Sequence, residues 1–505
     1  MVNVTPLLRP YFRHVSLKAL RTHDDVEESQ MRVLRTLVGK GAATVYGRRY
    51  GITRLMTYRE FASRVPLVDY PDIRVDIMDA VAGRRDVLWP GVTKRFAQSS
   101  GTTDGKSKYV PLTDDSLRLN HYRGGIYSVG HYLRFNPQSR IFGGKAFILG
   151  GSFANEISGL AAGVKVGDLS AHLIDNINPL VERLRVPSRD TALMESWTDK
   201  LPRLIAESIR EDVTNISGVP SWFLTVLRGV LRQAGASSIH DVWPNLEVFF
   251  HGGISFAPYR EQYEAITDGS RMHYLETYNA SEGFFAVQDD PAIRAMLLMI
   301  SDGVFYEFIP VARSAEASPV AVPAWEVADG EVYELVITSC NGLWRYRLGD
   351  TVRIHSTSPL RVTVEGRTKQ YINAFGEELM VHNADAAMAK ACSLTGVSVA
   401  NYTAAPVYTT DRSKGRHQWL VEFETAPADI PAFAAVLDEA LQSVNSDYQA
   451  KRSGDIFLSR LTITVARRGL FDDWLASTGK LGGQRKVPRL CPDRHIIEPM
   501  LSFNR

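Results

Sequence analysis

Cysteine is scarce in this chain: Cys340, Cys392 and Cys491 are the three present in 505 residues. They are odd in number and far apart, so they show neither a disulfide framework nor zinc-ligand spacing. Reduced thiols and a cytoplasmic location are the expectation. Net charge is nearly absent as well. A formal balance of +2 gives no electrostatic reason to expect nucleic acid or a membrane surface as a partner. No apolar run reaches the length of a membrane span. The N-terminal Met-Val-Asn-Val-Thr-Pro-Leu-Leu-Arg-Pro lacks the charged start and apolar run of a secretory signal. There is no internal repeat and no low-complexity block. What is present, 45% hydrophobic and 23% charged residues, is ordinary globular composition. The length suits about two to four domains, or one large domain with a smaller one.

Apolar spacing predicts a helix over residues 15–38, from Leu17, Leu20, Val26, Met31, Leu34 and Leu37. A short helix is expected over 59–65. Residues 201–234 carry two helical patterns split by Ser217-Gly-Val-Pro220. Strands are expected over 146–149, 246–250, 332–338 and 361–365, the second of them running into His251-Gly252-Gly253. Strands alternating with helices predict an α/β fold with a largely parallel core. The Ala-, Pro- and Ser-rich residues 310–329 read as a surface loop. A domain boundary is expected at Gly366–Lys369, giving a large domain over 1–366 and a small one over 367–505. The small domain would hold helices over 383–391 and 430–448, a strand over 461–465 and a Gly-rich basic segment over 479–489. Its length, roughly 140 residues, suffices for an independent α/β unit.

Chemistry concentrates in three polar islands. Ser99 to Lys108 packs five hydroxyls, two glycines and two lysines into ten residues. Glycine lets a backbone bend towards a ligand, successive N–H groups in such a bend cradle anions, and hydroxyls and Lys add partners for phosphate. It is not a P-loop, because Gly101 and Gly105 enclose three residues where that motif needs four. A solvated polar turn is the plain alternative. The second island is Tyr278-Asn-Ala-Ser-Glu-Gly-Phe-Phe285. Glu282 suits a hard cation such as Mg²⁺ and Tyr278 can stack on a base, but a Ser281 helix cap with a first-turn Glu uses the same residues. The third is Tyr346-Arg-Leu-Gly-Asp350. A carboxylate there can accept ribose hydroxyls, or Gly349-Asp350 is a β-turn.

In this order, Ser99-Ser-Gly-Thr, Tyr278…Ser281-Glu282 and Tyr346-Arg-Leu-Gly-Asp350 resemble the acyl-acid amido synthetases of the Gretchen Hagen family. That family includes the plant enzymes that conjugate auxin or jasmonate to amino acids. The likeness runs along the whole chain, from Ala43-Thr-Val-Tyr-Gly-Arg-Arg-Tyr-Gly51 and Val65-Pro-Leu-Val-Asp-Tyr70 to Gly479-Lys-Leu-Gly-Gly-Gln-Arg-Lys486-Val-Pro-Arg489. In length and in the wording of Ser99–Pro111 it resembles the bacterial members more than the plant hormone enzymes; Asp104 and Lys106 depart from the plant pattern by making the first island more charged.

The resemblance implies an adenylate-forming fold, like acyl-CoA ligases and luciferases, with a large N-terminal domain and a small mobile C-terminal α/β domain. It implies ATP and Mg²⁺ as cofactors, a carboxylic acid and an amine or amino acid as substrates, and a monomer. Ser99, Ser100, Gly101, Thr102, Thr103 and Lys106 would lie against the phosphates, with Lys108 as a second lysine and Thr103 acting in catalysis. Gly252 and Gly253 would line the adenine site and Tyr278 would flank the base, with Ser281 beside it. Glu282 would hold Mg²⁺, Asp350 would bind ribose, and Arg367 would sit near the hinge. Lys486 would reach the α-phosphate. Lys480 competes for that role, because Thr478-Gly-Lys480 is similar to the terminal Gly-Lys of acyl-CoA ligases. His251 is either a satisfied strand-end histidine or a neighbour of the acyl group. The acyl pocket would draw on 122–132 and 147–153. Two other functions stay open: an acyl-CoA ligase or carrier-loading adenylation enzyme, and a non-catalytic metabolite-binding relative.

Overall fold

The structure, a computed structural model, describes residues 2–504 except 100–107, 156, 158, 368–370, 410–413, 456 and 478–486. Its chain forms two compact units. The first comprises Met1–Ser99, Lys108–Gly253 and Tyr263–Thr368; the second gathers Ile254–Gln262 with Lys369–Arg505. No helix among the described residues is long and apolar enough to cross a membrane.

In the first unit, helices α1 (Thr5–Arg21) and α2 (Val26–Gly41) stand where one helix was expected over 15–38. A 3-10 turn at Thr22–Asp24 separates them. Asp25 then takes an extended conformation and accepts from Glu28 N at 2.8 Å, an N-cap that restarts the helix. The apolar spacing runs through this break and hides it. Helix α3 (Tyr58–Arg64) opens on a Thr57–Glu60 capping box. Helix α4 (Tyr122–Phe135) is entered through a π-helical turn, Leu117–His121. Helices α5 (Trp197–Ser208) and α6 (Pro220–Ala234) follow.

Along the chain the strands of this unit are β1 (Arg95–Ser99), β2 (Lys108–Pro111), β3 (Lys145–Ile148), β4 (Lys165–Gly167) and β5 (Arg185–Val186). Next come β6 (Val213–Gly218), β7 (Val248–His251), β8 (His273–Ala280), β9 (Gly283–Val287) and β10 (Met296–Leu298). The last are β11 (Val304–Pro310), β12 (Val322–Pro323), β13 (Val332–Ser339), β14 (Tyr346–Thr357) and β15 (Leu360–Arg367). β2, β1 and β4 make a small sheet. The main sheet has twelve strands in the order β12-β11-β13-β14-β15-β10-β9-β8-β7-β6-β3-β5.

From β5 to β8 the main sheet is parallel. From β8 to β12 it is antiparallel. The expectation of a largely parallel core therefore holds for one half only, because hairpin-linked strands need no crossover helix. Strand β6 was hidden within the helical patterns expected over 201–234. Its first four residues are all buried, as in a central parallel strand covered on both faces, which shows no alternation.

His23, His121, His131 and His172 are buried in this unit. Burial lowers their pKa values from 6.5 to about 4, about 4, about 3 and about 4. The unfolded chain therefore binds more protons than the native one between pH 6.5 and about 4, so stability falls as pH falls through that window. Urea denaturation should show a midpoint that drops from pH 6.5 to pH 4.5. A flat midpoint over that range would contradict these shifts.

The second unit opens with the hairpin β16 (Tyr371–Ile372) and β17 (Leu379–Met380), then α7 (Val381–Thr395). Strands β18 (Ser398–Val407) and β19 (Arg416–Thr425), helix α8 (Ile430–Val444) and strand β20 (Thr462–Ala466) follow. β18, β19 and β20 form one sheet in that order, and side chains of α7 and α8 share its apolar core. The helix expected over 430–448 ends at Val444. Asn445 is extended and its side chain accepts from Tyr448 N at 2.7 Å, starting a separate helix over Ser446–Arg452. Near the C-terminus, Ala404 N donates to Arg489 O and Cys491 N to Ala404 O, each at 2.9 Å, so this stretch extends the sheet beside β18. The Arg489 guanidinium lies 5.5 Å from the Tyr402 ring and pairs with Asp385.

Candidate active site

The parallel half of the main sheet ends in glycine-bearing turns. β3 runs into Leu149-Gly150-Gly151, β6 ends at Gly218, and β7 runs into Gly252-Gly253. In sheets of this kind ligands sit beyond the carboxyl ends of the strands. At Gly252 the backbone comes so close to β8 that an added Cβ would stand 2.3 Å from Thr277 O. β8 is parallel to β7, paired up to His251 opposite Glu276. Tyr278 therefore reaches the same edge as Gly252 and Gly253. His251 is 3% exposed, and its carbonyl accepts from Thr277 Oγ1 at 3.0 Å.

Ser281 and Glu282 form the turn between β8 and β9. The alternative reading as a helix cap is thus overturned: strands flank both sides. Glu282 is 9% exposed. Tyr278 is buried, its ring edge-on to Phe285 at 5.0 Å.

Asp350 does not lie in a β-turn, the other alternative. It lies inside β14, at a bulge. β14 pairs with β13 through Thr351–Glu334 and Arg347–Val336, so Leu348, Gly349 and Asp350 together face Leu335 alone. Such a bulge bends the strand and re-aims its side chains. Gly349 sits there at φ +81°, a conformation that favours glycine. On the other side Asp350 is the register partner of Arg367 in β15. Across the sheet, Tyr278 Oη donates to Asp350 Oδ2 at 2.6 Å. The second and third islands, 72 residues apart, are joined by this bond.

The first island meets the third as well. Ser99 ends β1 opposite Lys108, the first residue of β2. Lys108 Nζ donates to Tyr346 Oη at 3.4 Å and lies 5.8 Å from the Tyr70 ring. Burial pushes the Tyr70 phenol up to about 12, so the ring beside Lys108 stays neutral. Ser100, Gly101, Thr102, Thr103, Lys106, Lys480 and Lys486 lie outside the described residues, and Arg367 is described by its backbone alone.

Sequence reasoning passed over the roles of Tyr346, the first residue of the third island, and of Arg345 just before it. Arg345 is a scaffold residue. Its guanidinium bonds Glu307 through Nε at 3.0 Å and Nη2 at 2.9 Å, with Nη1 on the carbonyls of Ala62 and Val65 at 2.8 Å each. This fastens the end of α3, where helix carbonyls lack partners, to β11 and β14.

The carboxyl edge thus gathers two glycines and a buried tyrosine bonded to a carboxylate, with a second carboxylate on the hairpin turn that follows β8. A model of the GH3 family N-terminal domain matches residues 18–182 and 179–272, one of the GH3 family central domain matches 297–367, and one of the GH3 family C-terminal domain matches 382–495. The chain belongs to the GH3 family. Indole-3-acetic acid-amido synthetase GH3.8 of Oryza sativa subsp. indica is 26% identical over 549 residues, covering 94% of this chain and 90% of that protein. Indole-3-acetic acid-amido synthetase GH3.4 of Arabidopsis thaliana is 23% identical, covering 95% and 92%. Among solved structures, the AtGH3.15 acyl acid amido synthetase in complex with 2,4-DB matches with TM-score 0.59 at 19% identity, over 97% of this chain and 95% of that one. A 2-hydroxyisobutyryl-CoA ligase in the thioesterification state matches with TM-score 0.56 at 15% identity, over 94% and 91%. The fold is that of the adenylate-forming enzymes, as the family resemblance implied.

Proposed function

We propose that this GH3 protein is an ATP-dependent acyl-acid amido synthetase. The carboxylate of an acid attacks the α-phosphorus of ATP, giving an acyl-adenylate and pyrophosphate. An amine, an amino acid in the first instance, then attacks the acyl carbon; it loses a proton, an amide forms and AMP leaves. The observation that carries this reading is the Tyr278–Asp350 bond at the carboxyl edge beside Gly252, in a chain matched along its N-terminal, central and C-terminal domains by one family.

In this reading Asp350 accepts the ribose hydroxyls and Tyr278, fixed by its bond to Asp350, borders the adenine. Gly252 and Gly253 line the adenine, Gly252 being also the point where the backbone admits the Thr277 carbonyl of β8. Ser99 and the hydroxyls and lysine of residues 100–106 receive the phosphates, and Lys486, in the portion 367–505, balances charge at the α-phosphate. Catalysis of this kind is mostly positioning and charge stabilisation. Glu282 is the residue to hold Mg²⁺. Among the described residues no group of three His, Cys, Asp or Glu could hold a metal ion. A single hard carboxylate completed by phosphate and water is the usual protein contribution to a Mg²⁺ site. Bound there, Mg²⁺ supplies neutralisation of phosphate charge.

The reading is tested by ATP–pyrophosphate exchange across a panel of carboxylic acids that includes indole-3-acetic acid, 2,4-DB and 2-hydroxyisobutyric acid. Exchange that depends on one class of acid is expected; exchange with none contradicts adenylation. Likeness to a CoA ligase favours thioester formation as a second reading, which differs only in the acceptor.

Asp350→Ala should weaken ATP binding by roughly 10–100-fold, since each bond to a charged group contributes about 1.5–3 kcal/mol. It should also cost about 1–3 kcal/mol of stability, because the buried Tyr278 hydroxyl loses its acceptor. Adding Tyr278→Phe should recover stability without restoring ATP affinity. Calorimetry and denaturant titration separate the two effects; wild-type ATP affinity in Asp350→Ala would leave Asp350 with a structural role alone.

A further inference from the structure

The turn that carries Glu282 is gripped from two sides by buried asparagines. Asn341 is 1% exposed and sits in the turn between β13 and β14. Its Nδ2 donates to Glu282 O at 2.9 Å. Its Oδ1 accepts from Ser339 Oγ, which orients the amide with its donor towards Glu282. Asn120 is likewise 1% exposed. Its Oδ1 accepts from Phe284 N at 2.6 Å, and its Nδ2 donates to Phe284 O at 2.9 Å and Asp302 O at 3.0 Å.

These bonds replace strand pairing. β10 pairs with β9 at Ala286 and Val287, so Phe284 has no partner strand on that side, and the Asn120 amide supplies both a donor and an acceptor in its place. The π-helical turn Leu117–His121 positions Asn120 to do so, with Tyr122 N bonded back to Leu117 O. Extra-residue turns of this kind recur at functional sites. Main chain at Glu282 and at Phe284 is thus fixed by two amides from separate elements, neither of which is a candidate for touching substrate. A metal-holding carboxylate needs such support, because outer partners set ligand orientation.

We propose that Asn120 and Asn341 are positioning residues that pre-set the Glu282 carboxylate for the Mg²⁺ that accompanies ATP. This rests on the metal role assigned to Glu282 above. The test uses the full chain and the binding of Mg²⁺ with α,β-methylene-ATP, followed by calorimetry. Asn341→Asp and Asn120→Asp keep the shape of the side chain but make it acceptor-only, so the bonds to the carbonyls of Glu282 and Phe284 are lost. Each variant should raise the Mg²⁺ concentration for half-maximal binding about 10–100-fold, with the affinity for the nucleotide without metal unchanged. Glu282→Gln should show the same shift. If Glu282→Gln shifts and the folded Asn variants bind Mg²⁺ like wild type, the positioning role is overturned and the metal role stands. If Glu282→Gln does not shift, the metal role fails and the positioning role with it. Should Asn341→Asp not fold, Asn341→Ala, which deletes the donor without adding charge, is read by the same criteria.

Discussion

Arg345→Met should lower the unfolding free energy of the first unit by about 3–5 kcal/mol, the cost of stranding a buried charge. The stranded partner is Glu307, 0% exposed and bonded in this structure by Arg345 and, at 3.1 Å, by Tyr58 Oη. Two helix-end carbonyls, Ala62 O and Val65 O, lose their donor in the same substitution. Arg345 also sits at φ +44°, a conformation rare for a side chain of its size, and the five-fold attachment of its guanidinium holds it there. Because a buried pair stabilises little against apolar replacements of similar volume, the double variant Arg345→Met with Glu307→Leu should recover most of the loss. Denaturant titration reads both. A loss below about 1 kcal/mol in the single variant, or a double variant no better than the single, would mean that the pair is not the clamp described here.

Lys486→Ala should slow acyl-adenylate formation about 10²–10³-fold, the scale of losing one group aimed at developing charge. It should still pass the acyl group of a supplied acyl-adenylate to an amine. The assignment rests on the family likeness of the Lys486-Val-Pro-Arg489 segment. Lys480→Ala, in a Gly-Lys context, should keep adenylation. Single-turnover assays of each half-reaction separate the two lysines. If Lys480→Ala loses adenylation and Lys486→Ala keeps it, the role belongs to Lys480; if neither variant loses it, no lysine of this segment acts at the α-phosphate.

Much of the site was legible as composition. The polar islands stood out from their apolar surroundings, and β7 running into Gly252-Gly253 was readable from Leu246-Glu-Val-Phe-Phe250. What surrounds each island was not legible. Ser281-Glu282 has the residue types of a helix cap, and only the strands on either side make it a hairpin turn. Gly349-Asp350 has the residue types of a β-turn; the bulge arises because Leu335, on another strand, is opposed by three residues. Neither pairing is local, so no window of sequence contains it.

The supporting residues were less visible still. Asn120 and Asn341 are isolated asparagines without periodicity, and their partners lie 164 and 59 residues away. Arg345 finds Glu307 across 38 residues. The antiparallel half of the sheet was missed for a related reason: buried strands such as β9 (Gly283–Val287) and β10 (Met296–Leu298) show continuous apolar runs, which look the same in parallel and antiparallel sheets.

The acceptor of the acyl group is the point on which the proposed function turns. The most direct measurement gives the enzyme ATP, Mg²⁺ and the acid that best supports pyrophosphate exchange, with an equimolar mixture of the amino acids and CoA, and identifies the products by mass spectrometry. The account predicts an acyl-amino acid amide, formed in step with AMP, and no acyl-CoA. Acyl-CoA formed in step with AMP, without amide, would contradict it.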